Sequence, residues 1–159
     1  MHRKSLAIYL RNHYAGAQAG RELFRRAERN QRDRPYGAEI AALRAEVEED
    51  VRALRAVLRA EGVQPDLPQG LLLQLGERVG RLKPNGALLS RSPLSDLIEV
   101  EGMLDAVRAK AAGWQALTVI PAPRWGQEVD PQEYYDRAMG QAERLSTIHR
   151  EVSTRLFTP

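Results

Sequence analysis

"SLAIYLRNHYAGAQAGRELFRRAERN", residues 5–30, decides the fold. Leu6, Leu10, His13, Ala17, Gly20, Phe24 and Ala27 recur by fours and threes, the step that keeps side chains on one face of an α-helix. A strand would alternate by twos, and no stretch of the chain does so over a useful length. One member of the stripe is out of character. His13 puts an imidazole where its neighbours are apolar.

The same period returns three more times. After "NQRDRPYGAE", with Pro35 at a first-turn position, Ile40, Leu43, Val47, Asp50, Leu54, Val57 and Leu58 mark a second helix, which Gly62 ends. Ser92-Pro93 reads as N-cap and first position of a third, running to about Leu117 with Leu94, Leu97, Glu101, Leu104, Arg108, Ala111 and Gln115 as its stripe. "DPQE", Asp130 to Glu133, joins a capping box to a first-turn proline. It opens a fourth helix through Tyr135, Ala138, Ala142, Leu145, His149, Val152 and Leu156.

Between the second and third long helices lie about 30 residues, which include a shorter helical stretch from Leu71 to Leu82 and an Asn85-Gly86 turn. A connection of that length can span a bundle. The fold expected is therefore all-α: four long antiparallel helices in a ferritin-like bundle, with a short extra helix in the long crossover connection, as one domain over residues 1–159. An up-down bundle with a fifth helix packed outside is the alternative.

Each long stripe contains one ionisable residue: His13, Asp50, Glu101 and His149. A buried ionisable group costs several kcal/mol unless it is paired or bound to a metal. Measured from the centres of the two short loops, His13 and Asp50 stand within about 5 Å of one level, and Glu101 and His149 within about 3 Å. The four can be polar pairs, His13 with Asp50 and His149 with Glu101. They can also form a His/carboxylate metal layer, with Glu46 and Glu49 of "AEVEED" as further ligands and iron or manganese as its metal. Two features count against the metal: no Glu-x-x-His occurs anywhere, and Asp50 is flanked by Glu48, Glu49 and Arg52. Gly76 to Gly80 is no phosphate loop, since no strand precedes it and no Lys-Ser/Thr closes it. Trp114 and Trp125, on either side of the second loop, are expected to plug one end of the bundle.

Composition narrows the classes. The 159 residues contain no cysteine, which removes disulfides, thiolate nucleophiles and zinc fingers together. No apolar run approaches a membrane span, and Arg11 breaks the one near the start too early for a signal-peptide core, so a cytoplasmic protein is expected. The net charge is +3, with residues 1–62 holding 13 Lys+Arg against 9 Asp+Glu. That surplus gathers around Arg21 to Arg34. Such a patch could touch phosphates, but a solvated face that favours the helix dipole is the plainer expectation, and nucleic acid is not the expected partner.

"YLRNHYAGAQAGREL", "EIAALRAEVEEDVRALRAV", "GRLKPNGALLSRSPLSDLIEVEGML" and "KAAGWQAL" together resemble a family of ferritin-like helical proteins common in actinobacteria and their relatives. The resemblance implies the ferritin-like bundle and supplies no activity. Iron oxidation or storage does not carry over, because both Glu-x-x-His pairs are missing. The function expected is a non-enzymatic interaction or structural module, self-associating as a symmetric dimer. A metal-binding bundle for oxidation or storage is the rival, and a carrier of apolar ligands a third.

Overall fold

The computed structural model describes residues 2–65, 92–120, 125 and 129–158. They form four helices, α1 (His2–Gln31), α2 (Gly37–Ala60), α3 (Pro93–Leu117) and α4 (Pro131–Phe157), and no strand is found among the described residues. The short helix expected over Leu71 to Leu82 and the Asn85-Gly86 turn lie outside them. No helix among the described residues is long and apolar enough to cross a membrane.

Local chemistry explains most helix ends. Ser92 Oγ accepts from the Leu94 amide at 3.1 Å, and Asp130 Oδ1 from the Gln132 amide at 2.9 Å, each ahead of a first-turn proline. At the end of α2, Gly62 takes φ +65°. Its amide donates to Arg59 and the Val63 amide to Leu58 at 3.0 and 2.8 Å, the paired bonds of a Schellman stop. The start of α2 differs from expectation. Pro35 lies in the turn before the helix, and α2 begins at Gly37, behind a Tyr36 cap that makes no side-chain bond. A Cβ on Gly37 would stand 2.7 Å from the Gln31 carbonyl oxygen, so only glycine lets the turn close this tightly.

The helices bury two contiguous apolar clusters. One, toward the α1–α2 turn, is built around Phe24, Ile40, Leu43, Met103 and Leu145. The other, toward Val63 and Val129, contains Leu10, Tyr14, Leu58, Trp114 and Trp125. The two tryptophans do fill that end: Trp114 stacks on Tyr134 at 4.8 Å, and Trp125 donates to Glu61 Oε1 at 2.7 Å.

Close backbone approach is extensive along three seams, α1–α2, α1–α3 and α3–α4. Their contacts share a sense. On α1 and α3, His13 meets Gly113, Gly20 meets Ala106, and Gln31 meets Glu99. On α1 and α2, Arg11 reaches Gln64, Arg25 reaches Glu48, and Glu28 reaches Arg44. On α3 and α4, Glu101 pairs with His149 and Lys110 with Gln141. In each set the numbers rise on one helix as they fall on the other. The fourth seam, α2–α4, is bridged mainly by long polar side chains.

One stripe is turned from its expected phase. On α3 the buried apolar residues include Leu97, Val100, Met103, Leu104, Val107, Ala111 and Trp114, while Leu94, Glu101, Arg108 and Gln115 are exposed. The stripe read from the sequence takes one residue per step along the rim. The larger side chains one position away, Val100, Met103, Val107 and Trp114, claim the interior because they bury more apolar area.

Candidate functional site

Charge in the interior centres on Asp50, which is 3% exposed in the middle of α2. One oxygen, Oδ2, accepts from Lys110 Nζ of α3 at 2.5 Å and from Gln141 Nε2 of α4 at 3.2 Å. The other, Oδ1, accepts no hydrogen bond and faces Arg137 Nε at 3.4 Å. Gln141 links onward: its oxygen accepts from Lys110, and its amide nitrogen donates to Glu46 Oε2 at 2.9 Å. Arg144 then holds Glu46 Oε1 at 2.6 Å and also Glu39, while Arg137 holds Glu49 Oε2 at 2.5 Å. The result is a connected ladder of carboxylates on α2 and cations on α3 and α4.

Helix periodicity makes the ladder. Glu39, Glu46, Glu49 and Asp50 fall on one side of α2 at steps of seven, three and one, and Arg137, Gln141 and Arg144 answer at four and three on α4. Lys110 continues the buried α3 series Val100, Met103, Val107 by a further three. Burial pushes its ammonium below the ordinary lysine value, against the pull of Asp50. For Glu46, burial raises the carboxyl, but hydrogen bonds from Arg144 and Gln141 outweigh it and hold the group below the usual range.

The four stripe residues do not come together. The expected pairing of His13 with Asp50 is corrected: Asp50 is taken by Lys110 and Gln141. The imidazole instead lies in the notch above Gly113, where a Cβ would stand 2.7 Å from Nδ1, with the Tyr9 ring 4.4 Å away. Burial lowers its pKa and favours the neutral ring. His149 Nε2 and Glu101 Oε1 do meet, at 3.1 Å, but at the rim; their side chains are 34% and 53% exposed. Glu101 is there because α3 turns its larger apolar residues inward. Among the described residues no three His, Asp or Glu side chains converge where a metal ion could sit. Glu46 and Glu49, the secondary ligand candidates, are held by arginines and Gln141.

A second polar centre has no counterpart among the residues singled out from the sequence. Glu99, buried on α3, accepts from Asn30 at 2.8 Å and Gln31 at 2.9 Å, with Arg26 Nε 3.3 Å away. One turn earlier Asp96 accepts from Arg34 at 2.7 Å. These contacts tie the end of α1 to the start of α3. Lys110 and Gln141 could have been found: each keeps step with the apolar residues three or four positions before it. Glu99 had no such signal, because it sits beside the stripe.

No family model, curated protein or solved structure matches the chain.

Proposed function

We propose that the chain is a one-crossover, ferritin-like helical bundle that works as a non-enzymatic interaction or structural module. The contact registers support the topology. If α1 runs up, the contact registers favour α2 and α3 running down and α4 up, which sets the end of α2 and the start of α3 at opposite ends of the bundle, as in one-crossover bundles.

The observation that carries the functional part is the Asp50–Lys110–Gln141 contact. A bundle that binds metal between its helices leaves carboxylates and imidazoles free to ligate it. Here the inward carboxylates of α2 are occupied by cations of the same chain. That charge balance closes the interior and leaves the surface as the part that works.

The rival metal reading is tested directly. Purified protein is incubated anaerobically with Fe(II), Mn(II) or Zn(II), desalted and analysed for metal. No stoichiometric ion, and thermal melts that superimpose with and without chelator, are expected. Stoichiometric metal that disappears in Asp50→Asn overturns the proposal.

A further inference from the structure

We infer that the outer face of α1 and α2, at the end away from their connecting turn, docks the phosphate backbone of a nucleic acid. The inference rests on the interaction-module proposal and names what that module takes.

The structure changes which arginines are available. Those that made Arg21 to Arg34 look basic are mostly spent: Arg25 pairs with Glu22 and Glu48, Arg26 with Glu99, Arg34 with Asp96, and Arg21 with Glu22. Arg44 is matched by Glu28. Arg29 and Arg32 are exposed with no ion pair among the described residues, but residues 21–50 hold 7 Arg against 8 Asp+Glu, so this half of the α1–α2 seam carries no positive surplus.

The other half is not. Residues 2–20 contain no Asp or Glu, and residues 51–65 contain only Glu61, which is buried and accepts from Trp125. Arg52, Arg55 and Arg59 are exposed, and no hydrogen bond or ion pair reaches their side chains among the described residues. Their spacing of three and four puts them in one row along α2, about 10 Å long at the helical rise. The register that joins Arg25 to Glu48 and Arg11 to Gln64 sets this row alongside the acid-free part of α1, with Arg11 beside it.

Unneutralised like charges held on rigid helices repel one another, and a polyanion relieves that repulsion. All four are arginines, whose planar fork takes phosphate oxygens in pairs. A lipid surface would ask for apolar side chains among the cations. The large apolar side chains exposed among the described residues are Leu94, Val119, Met139 and Phe157 on or beside α3 and α4, and Ile8 alone on α1. The row is therefore suited to a charged backbone and not to a bilayer.

The test is fluorescence anisotropy of a labelled DNA duplex titrated with the full chain between about 50 and 200 mM salt. The comparison is the triple variant Arg52→Ala/Arg55→Ala/Arg59→Ala, whose changes are all on exposed side chains. Wild type is expected to bind in the micromolar range typical of sequence-independent association, roughly 10⁻⁴ to 10⁻⁶ M, and to weaken steeply with salt. The triple variant should bind at least tenfold more weakly, with a log–log salt slope shallower by about 2 to 3, near 0.9 for each phosphate no longer neutralised. Arg25→Ala, which removes a paired arginine, should leave that slope within about 1 of wild type. Absence of binding at the lowest salt overturns the inference. So does equal binding by the triple variant, or co-sedimentation with phosphatidylserine vesicles in preference to the duplex. None of these outcomes alters metal retention, so the module proposal stands or falls on the elemental analysis instead.

Discussion

The contact between Lys110 and Asp50 shows how much a single buried charge depends on its partner. Removing one member strands the other away from water, which costs about 3 to 5 kcal/mol. Lys110→Met is expected to lower stability by about that amount in urea unfolding, and adding Asp50→Leu should recover more than half of it, because no charge is then left unpaired. His13 and Gly113 give a second test with a change of sign. In the wild type, Gly113→Ala drives a Cβ into the imidazole at 2.7 Å and should destabilise by about 1 to 3 kcal/mol. In a His13→Ala background the notch is open, and the same substitution should stabilise by up to about 1 kcal/mol through helix propensity. A pH dependence follows from the same imidazole. Its folded pKa lies below the ordinary value, so below about pH 6.5 the unfolded chain binds a proton that the folded one resists. Stability should therefore fall as pH drops from about 6.5 toward the folded pKa, and His13→Asn should flatten that part of a Tm-against-pH curve.

At the scale of the elements, the helix ends are local chemistry, and the orientation of a helix about its own axis is not. Ser92-Pro93, Asp130-Pro131 and Gly62 act where their residue types say they should. Gly62→Ala forces a β-carbon into the left-handed region and is expected to cost about 1 to 2 kcal/mol, read as a shift in the urea midpoint. The phase of α3 was not legible in the same way. Its apolar residues occupy two adjacent rows, Leu97–Leu104–Ala111 and Val100–Met103–Val107–Trp114, and either row satisfies the helical period. Packing against α1 and α4 chooses the orientation that buries both rows at once. That choice sends Glu101 to the rim and brings Lys110 inward. The polar candidates were thus half legible: Asp50 is buried as its stripe indicates, and the partners that neutralise it come from a face the stripe left out.

For the whole molecule, the decisive property is the order in which the helices run. Gly20 and Ala106 offer a direct probe, since a Cβ on Gly20 would lie 3.6 Å from that of Ala106, within the span of a disulfide. The chain has no cysteine of its own, so Gly20→Cys/Ala106→Cys should oxidise to a single intramolecular bond. It should migrate faster on a non-reducing gel and unfold at higher urea than its reduced form. Failure to oxidise would break the α1–α3 register on which the proposed topology depends. Charge is also distributed at this scale. The α1–α2 seam carries no positive surplus toward its turn and is positive toward its open end, a contrast that emerges once the helix register sets residues 2–20 beside residues 51–65.

The chain by itself determined four amphipathic helices, most of their ends and the burial of Asp50, because hydrophobic period and capping act over distances of a few residues. Only the tertiary structure decided that Asp50 meets Lys110 and not His13, that Glu101 and His149 meet at the rim, and that Arg25 and Arg34 are paired while Arg52, Arg55 and Arg59 have no ion pair among the described residues. These are contacts between residues dozens of positions apart. Their partners depend on the rotation and height of each helix relative to its neighbours, and those are set by packing the whole core at once.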